Sequence, residues 1–268
     1  MKNGLQSIVV LLIAGAGCEA ELESDPLDTG VASAVEDVAE PESLHRATVK
    51  DGVVFVHGNA GSNSDWNNTR NVLQADGYSQ FFYASWGGSN PATNSHTTTN
   101  IRRVRDAIDE CASVSPTGRC DVLTHSMGAT LAAKSIVDYD QQNKVASFIG
   151  IAGAFSGLES CYFYTYNPTC SSSRGLYQYG SFVANLESDI ENEGLGTRVY
   201  SIKSYYDQVV CLNAWLYYQP YYACDAGDPS HTSNVPDQDA SYTYNGLGHF
   251  GLQSSTTSRQ LTLANATP

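Results

Sequence analysis

Residues 120–133 read CDVLTHSMGATLAA and decide the fold, because a strand pattern passes directly into a helix pattern. Residues 121–124, with Val122 and Leu123 at their centre, predict a strand, and the small residues from Gly128 onward predict a helix that packs closely on its neighbours. Ser126 stands in the turn between them. A sharp strand-to-helix turn can expose a serine hydroxyl as a nucleophile, but a small residue in a tight turn is the simpler alternative.

The rest of the chain repeats this alternation of strands and helices. Strand patterns occur at residues 53–56, 81–84, 121–124, 145–151 and 198–203, and helix patterns at 65–75, 100–112, 127–139, 181–191 and 252–264. Alternation of this kind predicts one α/β domain with a mostly parallel sheet and helices on both faces. Because reactive groups gather beyond the carboxyl ends of such strands, the candidate site loops are 57–61, 125–128 and 204–209.

Two features favour the nucleophile interpretation of Ser126. The turn is similar to the Gly-x-Ser-x-Gly elbow, with Gly128 as the second glycine and Thr124 in place of the first. The N-terminus of the following helix directs N–H groups toward a developing oxyanion, which makes the Met127 N–H a candidate donor. A serine in this position still needs a base that removes its proton.

The base and the acid are expected later in the chain, with the acid first and the histidine last. His249 lies in the glycine-rich segment 245–251 before the last helix and is the predicted base. His231 lies in a polar segment and is interpreted as a solvated loop residue. Asp207 follows the strand at 198–203 and is the predicted acid, with a turn-forming aspartate as the alternative.

The loop after the first strand is expected to supply a second oxyanion donor. Gly58 allows close approach of the backbone, so the N–H of Asn59 is the candidate. His57 precedes this glycine and suits a structural role, hydrogen-bonded within the loop.

Five segments together resemble the small bacterial class 2 lipases. They are VFVHG (54–58), THSMG (124–128), KVASFIGIAG (144–153), SYYDQVV (204–210) and GHFGL (248–252). The likeness covers residues 51–264 and implies an α/β-hydrolase fold with a compact sheet of about six strands, acting on carboxylic esters, often triacylglycerols, without a dedicated lid. Carried over by position, it implies Ser126 as nucleophile, Asp207 as acid, His249 as histidine, and the amides of Asn59 and Met127 as oxyanion donors.

Two insertions, residues 155–180 and 210–245, exceed what a minimal member of this family needs. Fourteen of the 17 tyrosines lie between Tyr162 and Tyr244. Both insertions should overhang the active-site side, where tyrosines could pack an acyl chain, stack on a sugar or fill small cores of the insertions. The absence of a lid in the family therefore need not extend to this chain.

Six cysteines fall into three close pairs, which predict the disulfides Cys111–Cys120, Cys161–Cys170 and Cys211–Cys224. Six cysteines permit fifteen pairings, and disulfides of any pairing indicate an oxidising compartment. The last two pairs staple the two insertions. The cysteines and histidines lack the spacing of a zinc site, so no metal and no cofactor is predicted.

The first 46 residues are predicted to carry the signals for export and attachment. Residues 1–17 combine a positive tip with a short apolar stretch, as in a signal peptide. Small residues lead to Cys18 as in a lipobox, although Gly15 stands where an aliphatic residue is usual. Acylated Cys18 would anchor the protein to a membrane, and a plain secretion signal is the alternative.

Residues 18–46 are predicted to form a disordered acidic tether, and residues 47–268 the catalytic domain. Segment 19–45 holds nine acidic residues and no lysine or arginine, so it cannot bury enough apolar surface to order itself. The formal net charge is −14, of which this segment carries the larger part. The chain has no basic stripe to meet phosphates, which argues against nucleic-acid binding.

The predicted function is a serine hydrolase that cleaves carboxylic esters, such as triacylglycerols, through an acyl-enzyme. One alternative is an exported polyester depolymerase or another acyl hydrolase that uses the same residues. A second alternative is a non-catalytic surface-binding protein on a hydrolase scaffold. The expected partners are an ester substrate and the membrane that holds the lipid anchor, and the expected state is a monomer.

Overall fold

The computed structural model describes residues 50–211, 224 and 231–266. Its strands are β1 Gly52–Val56, β2 Phe81–Ala84, β3 Cys120–His125, β4 Val145–Ile151, β5 Arg198–Ser204 and β6 Ala240–Tyr244. Its helices are α1 Asn67–Ala75, α2 Thr98–Val114, α3 Met127–Asp138, α4 Ser181–Glu193, α5 His249–Ser255 and α6 Thr257–Ala264. The predicted signal peptide, Cys18 and the predicted tether lie outside the described residues.

The strands form one sheet in the order β2-β1-β3-β4-β5-β6, and each neighbouring pair is parallel. The central strands β3 and β4 are buried along their whole length. Thr124 of β3 pairs with Val56 of β1 on one side and with Gly150 of β4 on the other, so these three strands end at the same edge. The predicted parallel α/β sheet is confirmed.

Helices cover both faces of the sheet, and each face has its own hydrophobic core. One core contains residues of α2, α3 and α4 together with Val54 and Val56 of β1. The other contains residues of α1, α5 and α6 together with Val53 and Phe55 of the same strand. Because successive strand side chains point to opposite faces, one apolar strand contributes to both cores. Burial of each large aliphatic side chain contributes about 1.5–3 kcal/mol.

The last predicted helix, 252–264, is two helices in the structure. α5 begins at His249 and ends at Ser255, and the helical conformation is interrupted at Thr256 before α6 begins. The Thr256 hydroxyl donates to the carbonyl of Leu252 at 2.6 Å and accepts from the Gln260 side chain at 2.9 Å. A hydroxyl that bonds back to the preceding turn bends a helix without any proline or glycine, so the sequence pattern did not reveal the break.

The sixth strand lies inside the range that the sequence analysis assigned to the second insertion. β6 is an edge strand in which serine, threonine and tyrosine residues follow Ala240, and every second residue is exposed. It therefore lacks the apolar run by which the other strands were predicted. The second insertion accordingly ends before Ala240, and the sheet has the six strands that the family resemblance implies.

The three predicted disulfides are present. Cys111–Cys120 joins α2 to β3, Cys161–Cys170 closes a loop of the first insertion, and Cys211–Cys224 lies in the second. Each restricts the unfolded chain and contributes about 2–3 kcal/mol for loops of this size. Among the described residues, no helix combines the length and the apolar composition that crossing a bilayer requires.

Candidate active site

Ser126 occupies a strained turn between β3 and α3. Its backbone has φ 56° and ψ −133°, a conformation that costs a residue other than glycine about 1–3 kcal/mol. Two backbone hydrogen bonds hold the turn: the Ser126 N–H donates to Ile151 O at 2.9 Å, and the Ser126 carbonyl accepts from Ala129 N at 3.0 Å. This is the sharp strand-to-helix elbow that the sequence predicts.

The elbow is packed so tightly against the end of β1 that residue 128 must be glycine. A Cβ atom on Gly128 would lie 2.2 Å from the carbonyl oxygen of His57. The first glycine of the usual elbow pattern is replaced by Thr124, whose buried hydroxyl donates to Ile149 O at 3.0 Å. The hydroxyl is thus satisfied within the sheet, which explains why the threonine is tolerated.

Asp207 and His249 are in direct contact. His249 Nδ1 lies 2.8 Å from Oδ2 and 3.0 Å from Oδ1 of Asp207, and both side chains are buried. Oδ1 also accepts from the N–H groups of Val209 and Val210. Burial alone would raise the pKa of Asp207, but His249 and these donors outweigh it, and the pKa lies below its usual value. The ionised carboxylate fixes the proton on Nδ1 and leaves Nε2 as the basic nitrogen of the neutral ring.

Two residues that the sequence analysis did not select hold the backbone of His249. The side-chain oxygen of Gln208 accepts from His249 N at 2.9 Å, and His125 Nε2 donates to His249 O at 3.1 Å. His125 directly precedes Ser126, so this bond ties the elbow to the start of α5. Burial is the main cause that lowers the pKa of His125 to about 3, and the nearby His249 is the second cause. Its ring is therefore neutral. The sequence offered one signal for each of these two residues: His125 directly precedes Ser126, and Gln208 directly follows Asp207.

The two candidate oxyanion donors lie at the ends of β1 and β3. Met127 is the first residue of α3, where a backbone N–H has no acceptor within its own helix. Asn59 follows β1, and both ends of its side-chain amide are hydrogen-bonded. Its Nδ2 donates to Pro91 O at 3.0 Å, and its Oδ1 accepts from Asn94 at 2.7 Å. The Asn59 side chain is thereby fixed to the segment after β2.

His57 has the structural role that its position predicts. Its Nδ1 donates to Gly58 O at 2.8 Å, and its ring stacks on Trp86 with centroids 5.5 Å apart. Trp86 in turn donates its indole N–H to His57 O at 2.9 Å. Burial lowers the pKa of His57, so a neutral ring supports the loop.

The interpretation of His231 as a solvated loop residue was wrong. Its side chain is 2% exposed, its Nε2 donates to Ser204 O at 3.3 Å, and its Nδ1 accepts from Ser233 N at 3.1 Å. The polar sequence around it suggested exposure, but the ring is buried beside Cys211 at the end of β5. His231 therefore links the segment at Ser233 to the end of β5.

One group of potential metal ligands occurs among the described residues, formed by Cys211, Cys224 and His231. The two cysteines are joined in a disulfide, so they offer no thiolate to a metal.

Comparisons with known proteins indicate the family and the fold. The family model described as Lipase (class 2) matches residues 50–262. A search of curated protein sequences returns no match.

Several solved structures share the fold. The Bacillus licheniformis lipase BlEst2 in mature form superposes with a TM-score of 0.58 at 15% identity, over 84% of this chain and 95% of that one. The metagenome-derived lipolytic enzymes LipS and LipT give 0.54 at 13% identity, over 81% and 94%. Est1E from Butyrivibrio proteoclasticus, solved with ferulic acid bound, gives 0.54 at 10% identity, over 83% and 92%. At these identities the structures establish the fold alone.

Proposed function

The chain belongs to the class 2 lipase family, and we propose that this carboxylic ester hydrolase cleaves its substrate with Ser126, His249 and Asp207. The observation that carries the proposal is the buried His249–Asp207 pair, since it gives the imidazole one fixed tautomer. The bond from His125 to the His249 carbonyl supports it further, because it joins this pair to the residue before Ser126. All three side chains come from loops at the carboxyl ends of the parallel strands, where α/β enzymes place their reactive groups.

The reaction would proceed through an acyl-enzyme. His249 Nε2 takes the proton of the Ser126 hydroxyl as its oxygen attacks the ester carbonyl. The N–H groups of Asn59 and Met127 stabilise the resulting oxyanion. The protonated imidazole then gives its proton to the leaving alcohol, and the acyl group stays on Ser126. Water, deprotonated by His249, attacks this ester, releases the carboxylic acid and restores the serine.

The proposed substrates are uncharged, poorly soluble acyl esters such as triacylglycerols. Residues 160–173 of the first insertion contain no charged side chain in a chain whose net charge is −14. Four aromatic side chains of this stretch are exposed, from 39% for Tyr162 to 77% for Tyr166. Phe250, next to the proposed base, is 55% exposed. An exposed aromatic surface without charge favours contact with an apolar, neutral substrate.

The proposed location is outside the cytoplasm, with Cys18 as the lipid anchor and residues 18–46 as the tether of a monomeric domain. The three disulfides are compatible with an exported protein, because such bonds persist in oxidising compartments. Metabolic labelling with a fatty acid tests the anchor: Cys18→Ser should abolish incorporation of the label, and labelling that persists in this variant would contradict it.

A substrate profile of the purified protein tests the proposed activity. The panel contains p-nitrophenyl esters of short and long acyl chains, a triacylglycerol emulsion, a polyhydroxyalkanoate film and a matched anilide. Hydrolysis of the esters and the emulsion is expected, and Ser126→Ala should lower kcat by about 10⁴ to 10⁶. Preferential turnover of the film or the anilide would contradict the substrate class. Unchanged turnover by the variant would contradict the proposed mechanism.

A further inference from the structure

We propose that the first insertion, residues 155–180, positions the oxyanion donor Asn59 through its own Thr169 and through Asn94 of the segment after β2. The proposal rests on the proposed function, in which the Asn59 N–H is one of the two donors. The insertion contains none of the proposed catalytic residues, yet a continuous series of hydrogen bonds leads from it to Asn59.

The first link joins Asn59 to the segment after β2. The Asn59 side chain spans this segment: its Nδ2 donates to Pro91 O at 3.0 Å, and its Oδ1 accepts from Asn94 Nδ2 at 2.7 Å. Two bonds at opposite ends of one planar amide fix both its position and its rotation. These two side-chain bonds therefore restrain the Cα of Asn59 and, with it, the Asn59 backbone N–H.

Asn94 is itself held rigidly. Its side chain is 5% exposed, accepts from Gly88 N at 2.8 Å and donates to Gly88 O at 2.8 Å. Gly87, with φ +67°, packs so closely that a Cβ atom there would lie 2.8 Å from Asn94 Oδ1. Asn94 is therefore a fixed point, and a change of its amide would be transmitted to Asn59.

The second link joins this segment to the insertion. The Thr169 hydroxyl lies within hydrogen-bonding distance of Pro91 O, and it lies 2.6 Å from Asn94 O. Thr169 is buried and sits inside the loop closed by Cys161–Cys170, and its own carbonyl accepts from Leu176 N at 2.7 Å. The Pro91 carbonyl thus contacts the Asn59 amide and the Thr169 hydroxyl together.

A parallel link reaches the helix that carries the other donor. Arg174 O of the insertion accepts from His96 N at 2.8 Å, and His96 Nε2 lies 2.8 Å from the Thr130 hydroxyl of α3. α3 begins at Met127, so the insertion is connected to the elements of both donors. Oxyanion donors lower the barrier only if they are in place before reaction, and small displacements of a reacting geometry cost large factors in rate. The insertion accordingly acts as a fixed support.

Two matched pairs of variants test the proposal in the full-length protein. Asn94→Asp replaces the donor that faces Asn59 with an oxygen, and Asn90→Asp makes the same charge change at an exposed position of the same segment. Thr169→Val removes the hydroxyl while keeping the shape, and Thr169→Ser keeps the hydroxyl. The measurements are kcat and KM for p-nitrophenyl butyrate, the Ki of an alkyl boronic acid that forms a tetrahedral adduct, and the melting temperature.

Asn94→Asp is expected to lower kcat and to weaken boronic acid binding by about 10- to 100-fold, with KM within about twofold. Thr169→Val should lower kcat by about 3- to 10-fold, while Thr169→Ser and Asn90→Asp stay near the parent protein. If Asn94→Asp does not fold, the Thr169 pair decides. Unchanged kcat and Ki in folded Asn94→Asp or Thr169→Val would overturn the proposal, as would equal losses in both members of a pair. Failure of the proposed function is recognised separately, by turnover that survives Ser126→Ala.

Discussion

His249 Nδ1 lies 2.8 Å from Asp207 Oδ2, and neither side chain is more than 2% exposed. The two residues are separated by 42 positions and come from different loops. Their contact is made by the end of β5 and the start of α5, and the Gln208 side chain holds the two loops together. An ionised carboxylate beside Nδ1 is placed to stabilise the positive charge that the histidine of a serine hydrolase carries during each proton transfer.

Replacement of Asp207 by asparagine is expected to lower kcat by about 10⁴. The amide keeps an oxygen for the N–H groups of Val209 and Val210, but it loses the charge that stabilises the imidazolium. Steady-state kinetics on a p-nitrophenyl ester measure the change. Asp189→Asn on α4 is the control and should retain parent activity. A loss of less than tenfold in Asp207→Asn would argue against its role as the acid.

Gln208 is expected to act on the rate through the position of His249. Gln208→Leu removes the acceptor of the His249 N–H and should lower kcat by about tenfold, with KM unchanged. Gln208→Glu keeps a side-chain oxygen at this place and should restore most of the rate. The measurements are kcat and KM of both variants. Equal rates for the leucine and glutamate variants would refute a positioning role of Gln208.

Gly128→Ala is expected to destabilise the protein and to impair catalysis together. The added Cβ would lie 2.2 Å from His57 O and 2.8 Å from Val56 O, both of which belong to a rigid backbone. Overpacking of this kind costs about 1–3 kcal/mol of unfolding free energy and would displace Met127, the proposed oxyanion donor. Urea denaturation and kcat are the measurements. Gly251→Ala, whose Cβ would meet its nearest neighbour at 3.7 Å, should retain full stability; equal stability of the two variants would contradict the packing argument.

Acid is expected to destabilise the fold through its buried histidines. Burial lowers the pKa of His96 to about 4 and that of His125 to about 3, from the ordinary 6.5. Between pH 6.5 and 4 the unfolded chain therefore binds protons that the fold excludes, so stability rises with pH by up to about 1.4 kcal/mol per pH unit for each ring. Melting temperatures should fall as the pH drops from 6.5 to 4.5, with a shallower slope in His96→Gln. A melting temperature that stays constant over this range would refute the prediction.

Much of the fold was predictable because it depends on local pattern. The strands from β1 to β4 contain apolar runs, β5 contains Val199, Tyr200 and Ile202, and the helices that alternate with them show three- to four-residue periodicity. The disulfides were predictable because each joins cysteines close in sequence. β6 was not, since an edge strand of serine, threonine and tyrosine needs no apolar run. The break at Thr256 was also missed, because it depends on a side-chain hydrogen bond.

The candidate site likewise combines features that the local sequence specifies with features that depend on long-range contacts. Ser126 and Gly128 belong to a short motif whose local geometry the sequence specifies, and their elbow is present in the structure. The burial of His231 comes with its contact to Ser204, 27 positions earlier in the chain, which no nearby residue indicates. The bonds from Asn59 to Asn94 and from Asn94 to Thr169 span 35 and 75 positions. Polar contacts at such separations follow no periodicity, so they emerge only from the tertiary structure.

The most direct test of the central claim is covalent labelling of the folded protein with a fluorophosphonate, followed by peptide mass spectrometry. A fluorophosphonate reacts with a serine whose hydroxyl is activated by a neighbouring base. We expect one label per chain, on Ser126, and loss of the label in both Ser126→Ala and His249→Ala. Absence of labelling in a correctly folded protein, or labelling at another serine, would contradict the assignment of Ser126 as the nucleophile.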